Sequence, residues 1–275
     1  MHYVKKIDGE EKIHLQDFDP GNTPKGIKKD DAESKLQALD VELGELQEML
    51  AAAHQNSVLL LLQGTDTSGK DGTIRHVLSN VNPQGCRVES FKEPTQEELD
   101  HDFLWRIHKA TPAKGILGVF NRSHYEDVLV VRVQKLAPEK VWQRRYEEIN
   151  HFEKLLADNG TLILKFFLHI SSQEQEKRLL AREQDKNKAW KLSASDWENR
   201  SQWDEYQSAY EDMLNKCSKP WAPWYIVPAN HKWFRNLAIA HTLVEALRPY
   251  KEGWEKDLQD RGEKELALLK NIPHP

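Results

Sequence analysis

The sequence predicts a three-layer α/β fold, with a parallel central sheet between two layers of helices, and three observations predict it. Short apolar runs at 57–63, 86–91, 115–120, 161–168 and 224–227 read as strands and alternate with segments of helical spacing. The first of them, Val58-Leu59-Leu60-Leu61-Leu62, is apolar at every position rather than at every second one, as a strand covered on both faces must be. It leads into Gly64-Thr65-Asp66-Thr67-Ser68-Gly69-Lys70-Asp71-Gly72 and then the helical pattern of Thr73 to Leu78, the strand–loop–helix unit of a P-loop fold.

Taken in order, residues 1–30 carry Pro20, Gly21, Pro24 and Gly26 among charges and read as an extended arm. From Asp31 to about Gln55, Leu36, Leu39, Leu43, Leu46, Met49 and Leu50 recur at three-and-four spacing, which predicts a long helix packed on the sheet or on a partner subunit. Further helices are predicted at 73–81, 95–109, 125–158 with a break at Pro138, 172–183, 196–216 and 231–248, and a charged helix at 251–271. No repeat, low-complexity tract or linker divides the 275 residues, so 1–275 reads as one domain. Trp190, Trp197, Trp203, Trp221, Trp224 and Trp233 fall late in the chain and read as core or interface anchors, which hints at a homo-oligomer.

Composition excludes several classes of function. The apolar share, 39%, is enough for a core, while a net charge of -5 argues against a nucleic-acid binder driven by bulk electrostatics. No stretch approaches the roughly 20 apolar residues of a membrane span, and the start of the chain lacks the apolar segment of a signal peptide. Cys86 and Cys217 stand far apart without metal-ligand spacing, as in a reducing compartment. The expected location is the cytoplasm.

The loop names the chemistry. Gly64 and Gly69 allow backbone conformations in which successive N–H groups turn inward around an anion, and Lys70 adds a mobile positive charge. With Thr67, Ser68, Asp71, Gly72 and Thr73 they form a cradle for phosphate at a helix N-terminus. The position that ordinarily holds a metal-touching Ser or Thr is Asp71, and a second carboxylate, Asp66, lies inside the loop. Two carboxylates beside phosphate imply divalent cations between them, magnesium being the usual one in kinase sites.

The third strand ends in Phe120-Asn121-Arg122-Ser123-His124-Tyr125-Glu126-Asp127. A P-loop enzyme presents an acidic group to its metal here, whereas this chain offers Asn121, able to orient a metal-bound water, and Arg122, able to clamp phosphate oxygens or to pair with Glu126 one turn on. His124 reads as a structural or substrate-contact residue, since an ionised phosphate acceptor needs little acid–base help. Between Lys177 and Arg200 the chain is rich in cations, among them Arg178, Arg182, Lys186, Lys188 and Lys191. Arg178 and Arg182 share one helical face, and the segment at about 178–200 holds the place of a lid in small-molecule kinases.

These motifs, with Trp190-Lys191-Leu192-Ser193, resemble those of the family-2 polyphosphate kinases from about Phe18 to about Leu247. The resemblance implies a thymidylate-kinase-like core with a helical lid, and magnesium-dependent transfer of the terminal phosphate of inorganic polyphosphate to a nucleotide. It implies metal-shell places at Asp66 and Asn121, phosphate clamps at Lys70 and Arg122, and a lid arginine at Arg182. The Asn-Arg-Ser-His-Tyr-Glu-Asp version is similar to the subgroup that acts on AMP as well as ADP, and its Asn121 makes Glu126 and Asp127 candidates for the nucleotide or metal shell. Two alternatives share parts of the pattern: an ATP-dependent nucleoside monophosphate kinase, and a nucleotide-binding P-loop switch protein. For the latter, Asp185-Lys186-Asn187-Lys188 only loosely imitates a guanine-reading element.

Overall fold

The structure is a computed structural model and describes residues 3–9, 11–184 and 194–270. Its strands are β1 (Lys5–Ile7), β2 (Ser57–Gln63), β3 (Cys86–Ser90), β4 (Leu117–Asn121), β5 (Thr161–His169) and β6 (Trp224–Pro228). They form one sheet in the order β1-β6-β5-β2-β4-β3, with β1 antiparallel to β6 and every other pair parallel. The helices are α1 (Lys29–Ala53), α2 (Lys70–Val77), α3 (Gln96–Leu99), α4 (Trp105–Ala110), α5 (Val130–Val133), α6 (Glu139–Asp158), α7 (Ser172–Gln184), α8 (Ala194–Ser201), α9 (Trp203–Cys217) and α10 (Lys232–Leu269). None of the helices among the described residues is long and apolar enough to cross a membrane.

β2 shows why the layers form. Val58, Leu60 and Leu62 join the core beneath α1 and α10, while Leu59 and Leu61 join a second core under α6 and α9. A continuous apolar run therefore feeds both faces, and the polar loop emerges only where the strand ends.

Several boundaries differ from the sequence reading. The predicted 95–109 helix is two short ones, α3 and α4, and the predicted 73–81 helix lies earlier, as α2. The arm contributes β1, in register Lys5↔Ile226 and Ile7↔Trp224, a strand too short to show an alternating pattern. The predicted 125–158 helix is a 3-10 turn at His124–Asp127, then α5, then α6, which starts directly after Pro138. The 196–216 helix is interrupted at Gln202, between α8 and α9. The last two predicted helices are one, α10, which continues through Pro249. An interior proline costs a helix about 3 kcal/mol. Contacts beyond it offset that cost: the buried Trp254 donates its indole N–H to Asn56 Oδ1 at 3.1 Å and stacks on Tyr250, and Arg261 donates to the carbonyl of Ala52.

One buried acid in α1 makes stability depend on pH. Asp40 accepts a hydrogen bond from Ser79 at 3.2 Å through one oxygen, while its other oxygen is buried without a partner. Burial, which outweighs that hydrogen bond, pushes its carboxyl from 3.8 up to about 6. Folding thus favours the protonated form, and the stability this residue contributes falls as pH rises from about 4 to about 6. Asp40→Asn is expected to raise the unfolding free energy at pH 7 by roughly 1–2 kcal/mol. Urea titrations should show this gain closing toward pH 4; a gain that does not change with pH would refute the cause.

Candidate active site

β2 ends at Gln63 and delivers the loop to the carboxyl edge of the sheet. Gly64 (φ +151°) and Gly69 (φ +104°) take backbone conformations that L side chains rarely adopt, and Gly69 caps α2, whose first residue is Lys70. Thr67, a β-branched residue, is held at φ +64°, and Arg122 across the cleft at φ +63°. Such strain persists only where surrounding contacts fix it, and it clusters at functional sites. The hydroxyls of Thr65, Thr67, Ser68 and Thr73 are buried around the loop without a hydrogen-bond partner.

Lys70 folds over the loop, donating from Nζ to the carbonyls of Gly64 at 2.7 Å and Thr65 at 3.3 Å. Burial and then the nearby Arg122 charge push its ammonium down to about 8, against the pull of Asp66, Glu126 and Asp71. Parallel pairing of β2 with β4 sets Leu62 opposite Asn121, which places the second motif beside the loop. Asn121 Nδ2 donates to Asp71 Oδ1 at 2.7 Å. Arg122 donates from Nη2 to Asp66 Oδ1 at 3.0 Å and lies 3.9 Å from Glu126, and the Glu126 charge in particular holds the guanidinium firmly protonated. The other oxygen of Asp66 accepts from Asn199 Nδ2 at 3.0 Å.

Six of the sequence-predicted residues thus meet: Asp66, Lys70, Asp71, Asn121, Arg122 and Glu126. Gly64, Thr67, Ser68, Gly69, Gly72 and Thr73 form the loop that carries the first three of them, while Asp127, Arg178 and Arg182 take other partners. Asp127 pairs with Arg145 of α6, Nη1 to Oδ1 at 2.9 Å, and burial pushes its carboxyl up to about 6. Arg178, expected among the phosphate contacts, is a buried strut in this structure. It donates to Glu174, to the carbonyls of Thr67 and Ser68 in the loop, and to those of Ala229 and Asn230, which engages its whole fork. The shared helical face hid this role, because spacing does not reveal which carbonyls a neighbouring loop presents. Arg182 pairs with Asp196 of α8 at 3.2 Å. Lys186, Lys188, Lys191, Trp190 and the Trp190-Lys191-Leu192-Ser193 motif lie outside the described residues.

The histidine and tyrosine of the second motif are foundations. His124 Nε2 lies 3.1 Å from Glu153 Oε1, and the Tyr125 hydroxyl donates to the same oxygen at 2.7 Å. Lys165 donates to Glu153 Oε2 at 2.5 Å, to the Tyr125 oxygen and to the carbonyl of Cys217, and all four side chains are fully buried.

Several residues of the site escaped the sequence reading. Gln175, Asn199, Trp203, Tyr206 and Tyr210 line the cleft with Asp66, Arg122 and Glu126. Asn199, Trp203, Tyr206 and Tyr210 recur at the spacing of one helical face, a signal present in the sequence, of which the sequence reading takes up only Trp203, as a core or interface anchor. The Asp196 carboxyl is raised by burial and by the charge of Asp66, against the pull of Arg182, Arg122 and Lys70.

Among the described residues no three His, Cys, Asp or Glu side chains gather into a ready-made metal cage. Asp66 and Asp71 nonetheless offer hard oxygen donors beside the loop, and a small hard cation is commonly held by one or two carboxylates together with substrate phosphates. The donor set therefore fits a divalent cation that arrives with its phosphate ligand.

Comparison with known proteins places the chain as a whole. Residues 26–253 match the family described as polyphosphate kinase 2. The chain is 50% identical to the AMP/ADP-polyphosphate phosphotransferase of Meiothermus ruber over 88% of its own length and 91% of that protein. It is 44% identical to the ADP-polyphosphate phosphotransferase of Rhodopseudomonas palustris, covering 84% of each. The crystal structure of polyphosphate kinase 2 from Arthrobacter aurescens TC1 superposes with a TM-score of 0.84 at 43% identity, over 90% of this chain and 92% of that one.

Proposed function

The chain belongs to the polyphosphate kinase 2 family, and from that premise we propose that it transfers the terminal phosphate of inorganic polyphosphate to AMP and to ADP, making ADP and ATP, with magnesium as its metal. The observation that carries this reading is the meeting of two acids and two bases at the strand ends, where Arg122 grips Asp66 and Asn121 grips Asp71 while Lys70 rests on the loop carbonyls.

In the proposed reaction an oxygen of the acceptor phosphate bonds to the terminal phosphorus, and the bond from that phosphorus to the shortened polyphosphate breaks. The acceptor oxygen is already ionised at neutral pH, so no general base is required. Lys70 leaves the Gly64 and Thr65 carbonyls for the donor phosphates, and Arg122 turns its guanidinium toward the phosphoryl group in transit. Arg182 adds positive charge from α7, with Asp196 setting its direction. Asp66 and Asp71 would hold magnesium, which would screen the phosphate charges from one another. Asn121 would orient a metal-bound water, and Glu126 would contact the nucleotide or the metal shell.

The test uses AMP, polyphosphate and magnesium as the only additions. ADP is expected first and ATP after it. If ADP appears only when ATP is supplied, the enzyme is an ATP-dependent nucleoside monophosphate kinase instead.

A further inference from the structure

Arg235 stands in the second turn of α10, 2% exposed, directly beneath the phosphate loop. It donates from Nη1 to the carbonyl of Ser68 at 3.2 Å, and from Nε and Nη2 to Asn236 Oδ1 at 3.1 and 2.8 Å. A Cβ on Gly69 would lie 1.8 Å from its Nη1, and one on Gly72 would lie 3.3 Å from its Nη2, so the guanidinium is pressed against the first turn of α2.

This is an unfavourable place for a positive charge. Among the described residues no carboxylate lies within ion-pair distance of it, in contrast to Arg178, which has Glu174 at 2.8 Å. The start of α2 is itself the positive end of a helix dipole. Burial, and then the charge of Arg178, push the Arg235 guanidinium down to about 10. A buried charge with no counter-charge costs several kcal/mol in the folded state. An uncharged side chain in this place would avoid that cost.

We infer that Arg235 is a positioning residue whose counter-charge is the phosphate chain itself: it fixes the Ser68–Gly69 peptide from below and is neutralised only when an anion occupies the loop above. This rests on the reading of the Gly64–Thr73 loop as the polyphosphate cradle. Substrate binding then relieves the repulsion of Arg235 by Arg178 and by the helix end, in addition to forming new contacts.

The full-length protein is titrated with sodium tripolyphosphate while its melting temperature is followed, in the wild type, Arg235→Gln and Arg235→Lys. Lysine keeps the charge and most of the reach toward Ser68, whereas glutamine, whose amide ends where Arg235 Nε does, keeps a donor for Asn236 Oδ1 and no charge. Arg235→Lys is expected to bind tripolyphosphate within about threefold of wild type, whereas Arg235→Gln should bind roughly tenfold or more weakly. Without ligand, Arg235→Gln should melt no lower than wild type, and its KM for polyphosphate should rise while its KM for AMP stays unchanged. Equal weakening in both variants with a lower ligand-free melting temperature would make Arg235 a packing residue and overturn the inference. So would normal tripolyphosphate binding by Arg235→Gln. A wild type that does not respond to tripolyphosphate removes the loop reading first, and the inference with it.

Discussion

Lys70→Ala lowers turnover of AMP with polyphosphate by roughly a hundredfold to a thousandfold, the loss seen when one preorganised donor to developing charge is deleted. The folded state should hardly notice. Among the described residues Lys70 donates only to the carbonyls of Gly64 and Thr65, and its replacement removes an ammonium that burial already disfavours. A change of melting temperature within a few degrees, beside a collapse in kcat, would separate chemistry from folding. Arg122→Ala should cost a similar factor, with a further effect on Asp66, which loses its partner at 3.0 Å. Near-normal turnover by Lys70→Ala would remove the loop from the mechanism altogether.

The second large effect is on stability, far from substrate. Lys165→Met is expected to cost about 3–5 kcal/mol of unfolding free energy, because it leaves Glu153 charged and buried with no cation of fixed charge beside it. In the intact protein burial drives Glu153 upward, but Lys165 and His124 together hold it below the usual carboxylate range, so it remains an anion. Burial pushes His124 below 6.5. The unfolded chain therefore binds a proton there before the folded one does, and stability falls as pH drops below about 6.5. The double variant Lys165→Met with Glu153→Gln should recover part of the loss, since the uncompensated charge is gone. A urea midpoint for Lys165→Met close to that of wild type would show that the network is dispensable.

Much of this molecule is legible in its residues, and the exceptions share a cause. The five parallel strands, the loop and the meeting of Asp66 with Arg122 follow from apolar runs and the rule that sites gather at strand ends. Asn199, Asp196 and Arg235 did not stand out, because each acts through a partner remote in sequence: Asp66, Arg182 and Ser68. Arg178 was visible as a cation but not as a strut, since its acceptors are backbone carbonyls that carry no residue signature. The sequence reading divides 231–248 from 251–271, whereas the anchoring of Trp254 and Arg261 carries α10 through Pro249 as one helix.

α10 meets the central strand at both of its ends: near its start through Arg235 at the loop, and past Pro249 through Trp254 at Asn56, the residue before β2. The stretch between those two anchors is therefore a gauge of fixed length. Inserting or deleting one residue within it would swing one anchor about 100° around the helix relative to the other. The number of residues in that span is thus held as firmly as the buried side chains that line it, Leu237, Ile239, Leu243 and Leu247 among them.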